Sequence, residues 1–285
     1  YSFYHYLETI DVPIGWRGFL LGLEPMAAFI LRLFILPWLH VRNAIAVTMA
    51  SLVLLVAVSC SYIWALSVPA LIVIRILHGA SFVLLTSGVI SLVVNFIPEE
   101  KTGQGFGILS IGTLIPYAVI PPLTETLLPC VRNEADIYAG VSIFAVLALL
   151  LLTALRRRIR ESLRGRDGVL MRRATLGEIR ENLRSKTVGL LLAAGLLIYL
   201  AHATVFYFLK NLVLQTGGGS VGLFFTLSMV TMIAVRVFGG ALLDRFNKPA
   251  MVRTGLVLLI PCFVALPFAE TRTALYLLAG LYGLC

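Results

Sequence analysis

Long apolar runs, broken by short polar punctuation, set the pattern of this chain. Eight runs read as full helices, at about 14–38, 44–64, 67–97, 104–128, 137–155, 187–211, 218–242 and 249–268. Residues 1–11 read as the outer end of one more helix, and 272–285 as most of another. Each full run reaches about 20 residues, the length an α-helix needs to cross a bilayer core. The punctuation is turn-like, as at Pro98, Glu99, Glu100, Lys101 and Gly103. Pro116 and the pair Pro121 and Pro122 predict an interruption of the run 104–128. The pattern predicts an all-α polytopic membrane protein with nine to ten transmembrane helices.

Composition excludes the alternatives. The 285 residues are 59% hydrophobic and 13% charged, with a mean hydropathy of +0.96. A single packed core saturates well before it uses that much apolar surface, so a soluble domain is excluded. A net charge of +9 would suit nucleic acid, but eleven of the 23 Lys and Arg lie in 156–186. If that stretch is cytoplasmic, helix alternation brings Arg42, Lys101, Arg245, Lys248 and Arg253 to the same side. Only Arg17, Arg132, Lys210 and Arg272 fall on the other. This is the positive-inside distribution. It predicts a multi-pass protein of the plasma membrane, with a cytoplasmic basic segment and no nucleic-acid partner.

Within the basic segment, Thr175 and Glu178 have capping-box form, and Leu176, Ile179 and Leu183 share a face. A short amphipathic helix lying on the inner lipid surface is the expectation. The four cysteines (Cys60, Cys130, Cys262, Cys285) lack metal-ligand spacing and read as packing residues. There is no P-loop, no HExxH and no nucleophile elbow. Gly103, Gly105 and Gly107 lack the strand that a dinucleotide site requires. Neither an enzyme nor an ATP-driven pump is expected, and no cofactor or metal.

A repeat lies beneath the helix pattern. At a fixed offset of 204 residues, Arg32 meets Arg236, Phe34 meets Phe238, Asn43 meets Asn247, Gly18 meets Gly222 and Gly79 meets Gly283. Leucine pairs at the same offset add little, but the Arg, Asn and Gly pairs need no gap. Between the apolar runs 218–242 and 249–268 stands Gly240, then three residues, Asp244, Arg245, Phe246, Asn247 and Lys248. This resembles the loop signature of the major facilitator superfamily, G-x-x-x-D-R-x-G-x-K/R, with Asn247 in the place of the second glycine. Both residues tolerate a left-handed helix end, so the exchange is mild.

The resemblance implies two six-helix bundles with parallel repeats. Domains are then expected at 1–155 (first bundle), 156–186 (linker) and 187–285 (second bundle). Since Cys285 maps onto Ser81, the second half is expected to stop inside its fourth helix. Most of helix 1 and helices 11 and 12 would then lie outside this chain. Helix 5 lacks the glycine and proline spacing of drug–proton antiporters, although Gly107, Gly112 and Pro116 are present.

Charges inside a membrane are costly and mark candidate sites. Arg75, His78 and Gly79 resemble the superfamily's fourth-helix motif R-x-x-Q-G, with His78 in the glutamine position. The resemblance implies a role in proton coupling for Arg75. Glu24 and Arg75 both lie roughly 10–14 Å in from the outer ends of their helices, by the rise of 1.5 Å per residue. They are expected to pair, either as a proton-loading carboxylate with its partner or as a static link between helices. At the repeat positions stand Ser228 and Ala279, both uncharged, so any such group belongs to the first half. His78 reads as a hydrogen-bonded buried histidine. Arg32 and Arg236 occupy equivalent inner helix ends, as inner-gate charges or as side chains reaching to lipid headgroups. Glu125, near an outer helix end, is expected to be solvated. Tyr4, Tyr6, Tyr199, Tyr207 and Tyr282 face either a cavity or the lipid belt.

These features read together as a secondary active transporter that moves a small organic solute by alternating access. Proton coupling through Glu24 and Arg75 is expected, and few polar cavity groups tilt the reading toward efflux. The alternative is a non-transporting membrane sensor or scaffold of the same fold.

Overall fold

The structure, a computed structural model, describes residues 3–35, 39, 41–97, 102–163, 177, 181, 184–216, 219–243 and 248–285. These form α1 (Phe3–Thr9), α2 (Ile14–Ile35), α3 (Val41–Ser61), α4 (Val68–Val94), α5 (Thr102–Leu127) and α6 (Glu134–Val141). They continue with α7 (Ile143–Leu163), α8 (Lys186–Thr216), α9 (Val221–Leu243), α10 (Lys248–Ala265) and α11 (Arg272–Leu284). Among the described residues there is no strand, and 7 helical spans are long and apolar enough to cross a membrane. The expected all-α, polytopic architecture is what the chain adopts.

Two compact units emerge. The first holds α1 to α4, α6 and α7; the second holds α5, most of α8, and α9 to α11. In the first unit α4 is the centre, packed on α2 and on α3. Its buried positions Leu71, Arg75, Gly79, Val83, Ser87 and Ser91 recur every four residues, a single ridge along the helix. Small residues on that ridge let neighbouring backbones approach, which drives association where lipid removes any hydrophobic gain. A Cβ at Gly79 would stand 2.5 Å from the Glu24 carbonyl oxygen on α2, and one at Gly88 would overlap Thr48 on α3.

The offset of 204 residues recurs in the backbone. A 3-10 turn, Tyr62–Trp64, follows α3, and another, Leu266–Phe268, follows α10. Ser67 and Thr271, both extended, precede α4 and α11. Thr271 accepts the Ala274 N–H at 3.2 Å as an N-cap. Pro69 sits in the first turn of α4, where its missing N–H costs nothing. The buried pair Leu71 and Leu275 is also related by the offset, as is the crossing glycine pair. In the second unit Gly283 meets the Ser228 carbonyl oxygen on α9, the counterpart of the contact of Gly79 with Glu24.

Three expectations need correction. The run 104–128 is one helix, α5, and its three prolines do not interrupt it. Pro122 lacks the N–H that would bond the Ala118 carbonyl, and the Thr226 hydroxyl of α9 donates to that carbonyl at 2.6 Å instead. Neighbouring side chains that satisfy freed carbonyls make proline tolerable in membrane helices. The run read as 137–155 starts earlier and ends later than those bounds. Asn133 accepts the Ala135 N–H and opens α6, the helix breaks at Ser142, and α7 continues to Leu163. That extension is held by Ile159 and Leu163, which pack on Ala44, Ile45 and Leu92, while Arg156, Arg157, Arg158 and Arg160 are exposed. Among the cysteines, Cys262 is a fully buried packing residue, but Cys130 is exposed. The amphipathic helix expected around Thr175–Leu183 falls largely outside the described residues.

Candidate functional site

Arg75 organises the first unit. It is 3% exposed, in the middle of the ridge of α4 that faces α2. Burying a guanidinium is tolerable only when its donors are matched, and α2 supplies the acceptors. Nη1 donates to the Glu24 carboxylate, Nε to the Leu20 carbonyl at 2.9 Å and Nη2 to the Leu21 carbonyl at 2.9 Å. The last acceptor has a local cause. Pro25 lies inside α2 and has no N–H for the carbonyl four residues earlier, which is that of Leu21. The proline thus exposes a backbone acceptor next to Glu24, and the arginine fills it.

Aromatic rings close over this pair. The Phe3 ring lies 4.1 Å from the Arg75 guanidinium carbon, a cation–π contact. Tyr6 donates to the Tyr62 carbonyl at 2.9 Å, and the Tyr62 hydroxyl stands 3.1 Å from His78 Nδ1. Tyr138 packs edge-on against Tyr62 and Tyr6, at 5.3 Å and 6.1 Å between centroids. Tyr6 and Tyr62 are each 1% exposed, whereas the Glu24 side chain keeps 24% of its surface. The carboxylate is therefore the reachable partner of a fixed, enclosed cation. Chemically, such a pair can hold a charge inside a membrane helix bundle and expose only its acid.

The same positions of the second unit are neutral. Ser228 stands where Glu24 does, and its hydroxyl lies 3.0 Å from the carbonyl of Ala279, which stands where Arg75 does. Tyr282 takes the place of His78, packed against His202 at 5.1 Å and Phe224 at 5.8 Å. In place of the Pro25 position is Met229.

Glu125 departs from its expected solvation. Its carboxylate accepts from the Ser220 hydroxyl and from the Gly222 N–H, the latter at 2.8 Å. It thus caps the N-terminus of α9, where backbone donors and the helix dipole favour a negative group. Ser220 completes the cap by accepting the Leu223 N–H at 3.1 Å. Gly222 is required there, because a Cβ would stand 2.6 Å from Pro122 Cα on α5.

The remaining candidates scatter. Glu24, Arg75 and His78 come together. Arg32 is exposed, with Nη2 3.4 Å from the Thr86 hydroxyl, and Arg236 is exposed on α9. Gly240 lies in α9 and Lys248 opens α10, while Asp244, Arg245 and Asn247 lie outside the described residues. Of the tyrosines, Tyr6 and Tyr282 are buried and Tyr199 is 77% exposed. Sequence reasoning missed Phe3, Tyr62, Tyr138 and Glu134. A proline next to an intramembrane acid was a legible signal for Leu21; nothing local announces the rings.

A comparison with curated proteins finds no match for the chain. Residues 8–285 match the family model described as Major Facilitator Superfamily. With its helical fold, its apolar spans and its repeated helix crossing, the chain belongs to the major facilitator superfamily of membrane transporters.

Proposed function

We propose that this protein is a secondary active transporter that moves a small organic solute by alternating access, driven by protons through Glu24 and Arg75. The observation carrying the reading is the asymmetry of that pair. Arg75 is enclosed and held by two backbone carbonyls and a ring, while Glu24 keeps a quarter of its surface open. A proton arriving at Glu24 would cancel the ion pair without displacing the arginine, which the Leu20 and Leu21 carbonyls still hold. The acid could therefore load and release within a stable frame. Export is the favoured direction, since polar groups in the described helices are few. The exposed arginines at the end of α7 support a cytoplasmic side for the basic segment in a plasma membrane.

The test uses the full protein in proteoliposomes with an internal pH-sensitive dye. A thermal-shift panel of sugars, organic acids, amino acids and amphipathic compounds first identifies a ligand, because binding to the folded state raises apparent stability. Glu24→Gln then abolishes ligand-dependent proton movement while the apparent Tm stays near that of the wild type. Undiminished proton movement in that variant sinks the coupling role. Ligand binding without counterflow in the wild type would favour the sensor reading instead.

A further inference from the structure

Outside the Glu24–Arg75 site, one further acid is buried among the described residues. Glu134, the first residue of α6, is 1% exposed, and its Oε1 has no hydrogen-bond partner among the described residues. Asn133 performs the cap of α6, so Glu134 is not needed for that. Across from it, on α1, His5 Nδ1 stands 3.7 Å from the same oxygen. That is too long for a hydrogen bond and close enough for an ion pair. The His5 side chain is 39% exposed, so one member of the pair meets solvent or headgroups and the other is hidden.

Among the described residues, His5 is the one charge partner beside Glu134 by distance, and the other groups around it are engaged elsewhere or uncharged. Tyr6 faces the site from α1, Tyr62 from the turn after α3, and Tyr138 from α6 itself. Thr9 lies 3.5 Å from His5 Nδ1 but donates to the His5 carbonyl. On α6, Asp136 is engaged by the Arg132 backbone N–H at 3.1 Å and by its guanidinium at 3.3 Å. Arg17, on α2, is bonded to Glu8 at 2.8 Å. Arg75, the buried cation among the described residues, is committed to α2.

We infer that Glu134 and His5 form a second proton-binding site of the first unit, holding one proton between the two side chains and joining α1 to α6. A neutral acid beside a neutral imidazole, or a carboxylate beside an imidazolium, leaves the pair uncharged overall. An unpaired carboxylate in that enclosure would be costly. The exposed imidazole passes the proton between the outside and the hidden acid. With the proton on His5, the 3.7 Å contact shortens into a charge-assisted hydrogen bond. The site is independent of the role given to Glu24.

An infrared pH titration of the full protein in lipid vesicles, from about pH 4 to pH 9, reads the proton on the acid. Wild type is expected to show a protonated-carboxyl stretch that Glu134→Gln removes and Glu24→Gln leaves in place. His5→Gln takes away the side chain that would share the proton, so the pH at which that stretch disappears should move. Identical spectra for wild type and Glu134→Gln over the whole range would overturn the site. So would an unmoved midpoint in His5→Gln. Should Glu134→Gln fail to fold, the midpoint in the His5→Gln protein still decides, since that side chain is partly exposed.

Discussion

The crossing of α2 with α4 and that of α9 with α11 share a backbone geometry and differ in chemistry. In each, a glycine of the later helix presses on a carbonyl of the earlier one, Gly79 on Glu24 and Gly283 on Ser228. In each, the residue bearing that carbonyl also reaches across the interface with its side chain. The first crossing is closed by a carboxylate and a guanidinium, the second by a hydroxyl bonded to a backbone carbonyl. The repeat therefore carries the close approach, while the charge pair at positions 24 and 75 belongs to the first crossing alone. A charge pair is not needed to hold such a crossing together, since Ser228 does it neutrally. Its presence in one unit alone is the ground for the role proposed for it.

The largest expected effect comes from breaking the charged crossing. Arg75→Met leaves the partly buried Glu24 carboxylate without its partner and the Leu21 carbonyl unmatched, and should cost about 3–5 kcal/mol. It should be read as a lower apparent melting temperature in detergent. Adding Pro25→Ala should recover part of that loss, because an alanine supplies the N–H that the Leu21 carbonyl lacks. A double variant no more stable than Arg75→Met alone would mean that the freed carbonyl is not what anchors the arginine.

Next in size is the close approach itself. Gly79→Ala and Gly283→Ala each drive a Cβ into a backbone oxygen, for about 1–3 kcal/mol of overpacking. The two losses should be alike, measured by the same melts. A large loss at one glycine and none at the other would break the proposed equivalence. Smallest is Ser228→Ala, at about 1 kcal/mol for a single neutral hydrogen bond. A loss as large as that of Arg75→Met would contradict the claim that the second crossing is held lightly.

Much of this was legible in the residues. Apolar runs of bilayer length gave the helices, and the offset of 204 residues paired Gly79 with Gly283, where the structure places two matching close approaches. Equal depth from the outer helix ends was enough to pair Glu24 with Arg75. Where the sequence misled, the neighbour across the interface decided. Three prolines predict a break in α5, but the Thr226 hydroxyl takes up the carbonyl that Pro122 frees. A glutamate near a helix end reads as solvated, yet Glu125 caps α9. Phe3, Tyr62 and Tyr138 carry no local mark, because aromatic residues are as common in a lipid belt as around a site.

By itself, then, the sequence determined which segments are long and apolar enough to cross a membrane and that one half repeats the other. Hydrophobic length and residue periodicity are properties of a single segment and need no partner. Only the tertiary structure decided that Pro25 and Arg75 complete one another, that rings enclose the pair, and that Glu134 is buried with His5 as its nearest charge partner. Each of these depends on which backbone acceptor faces which side chain across two helices, and on how much water the packing excludes. That information lies in the register between segments, and no single segment contains it.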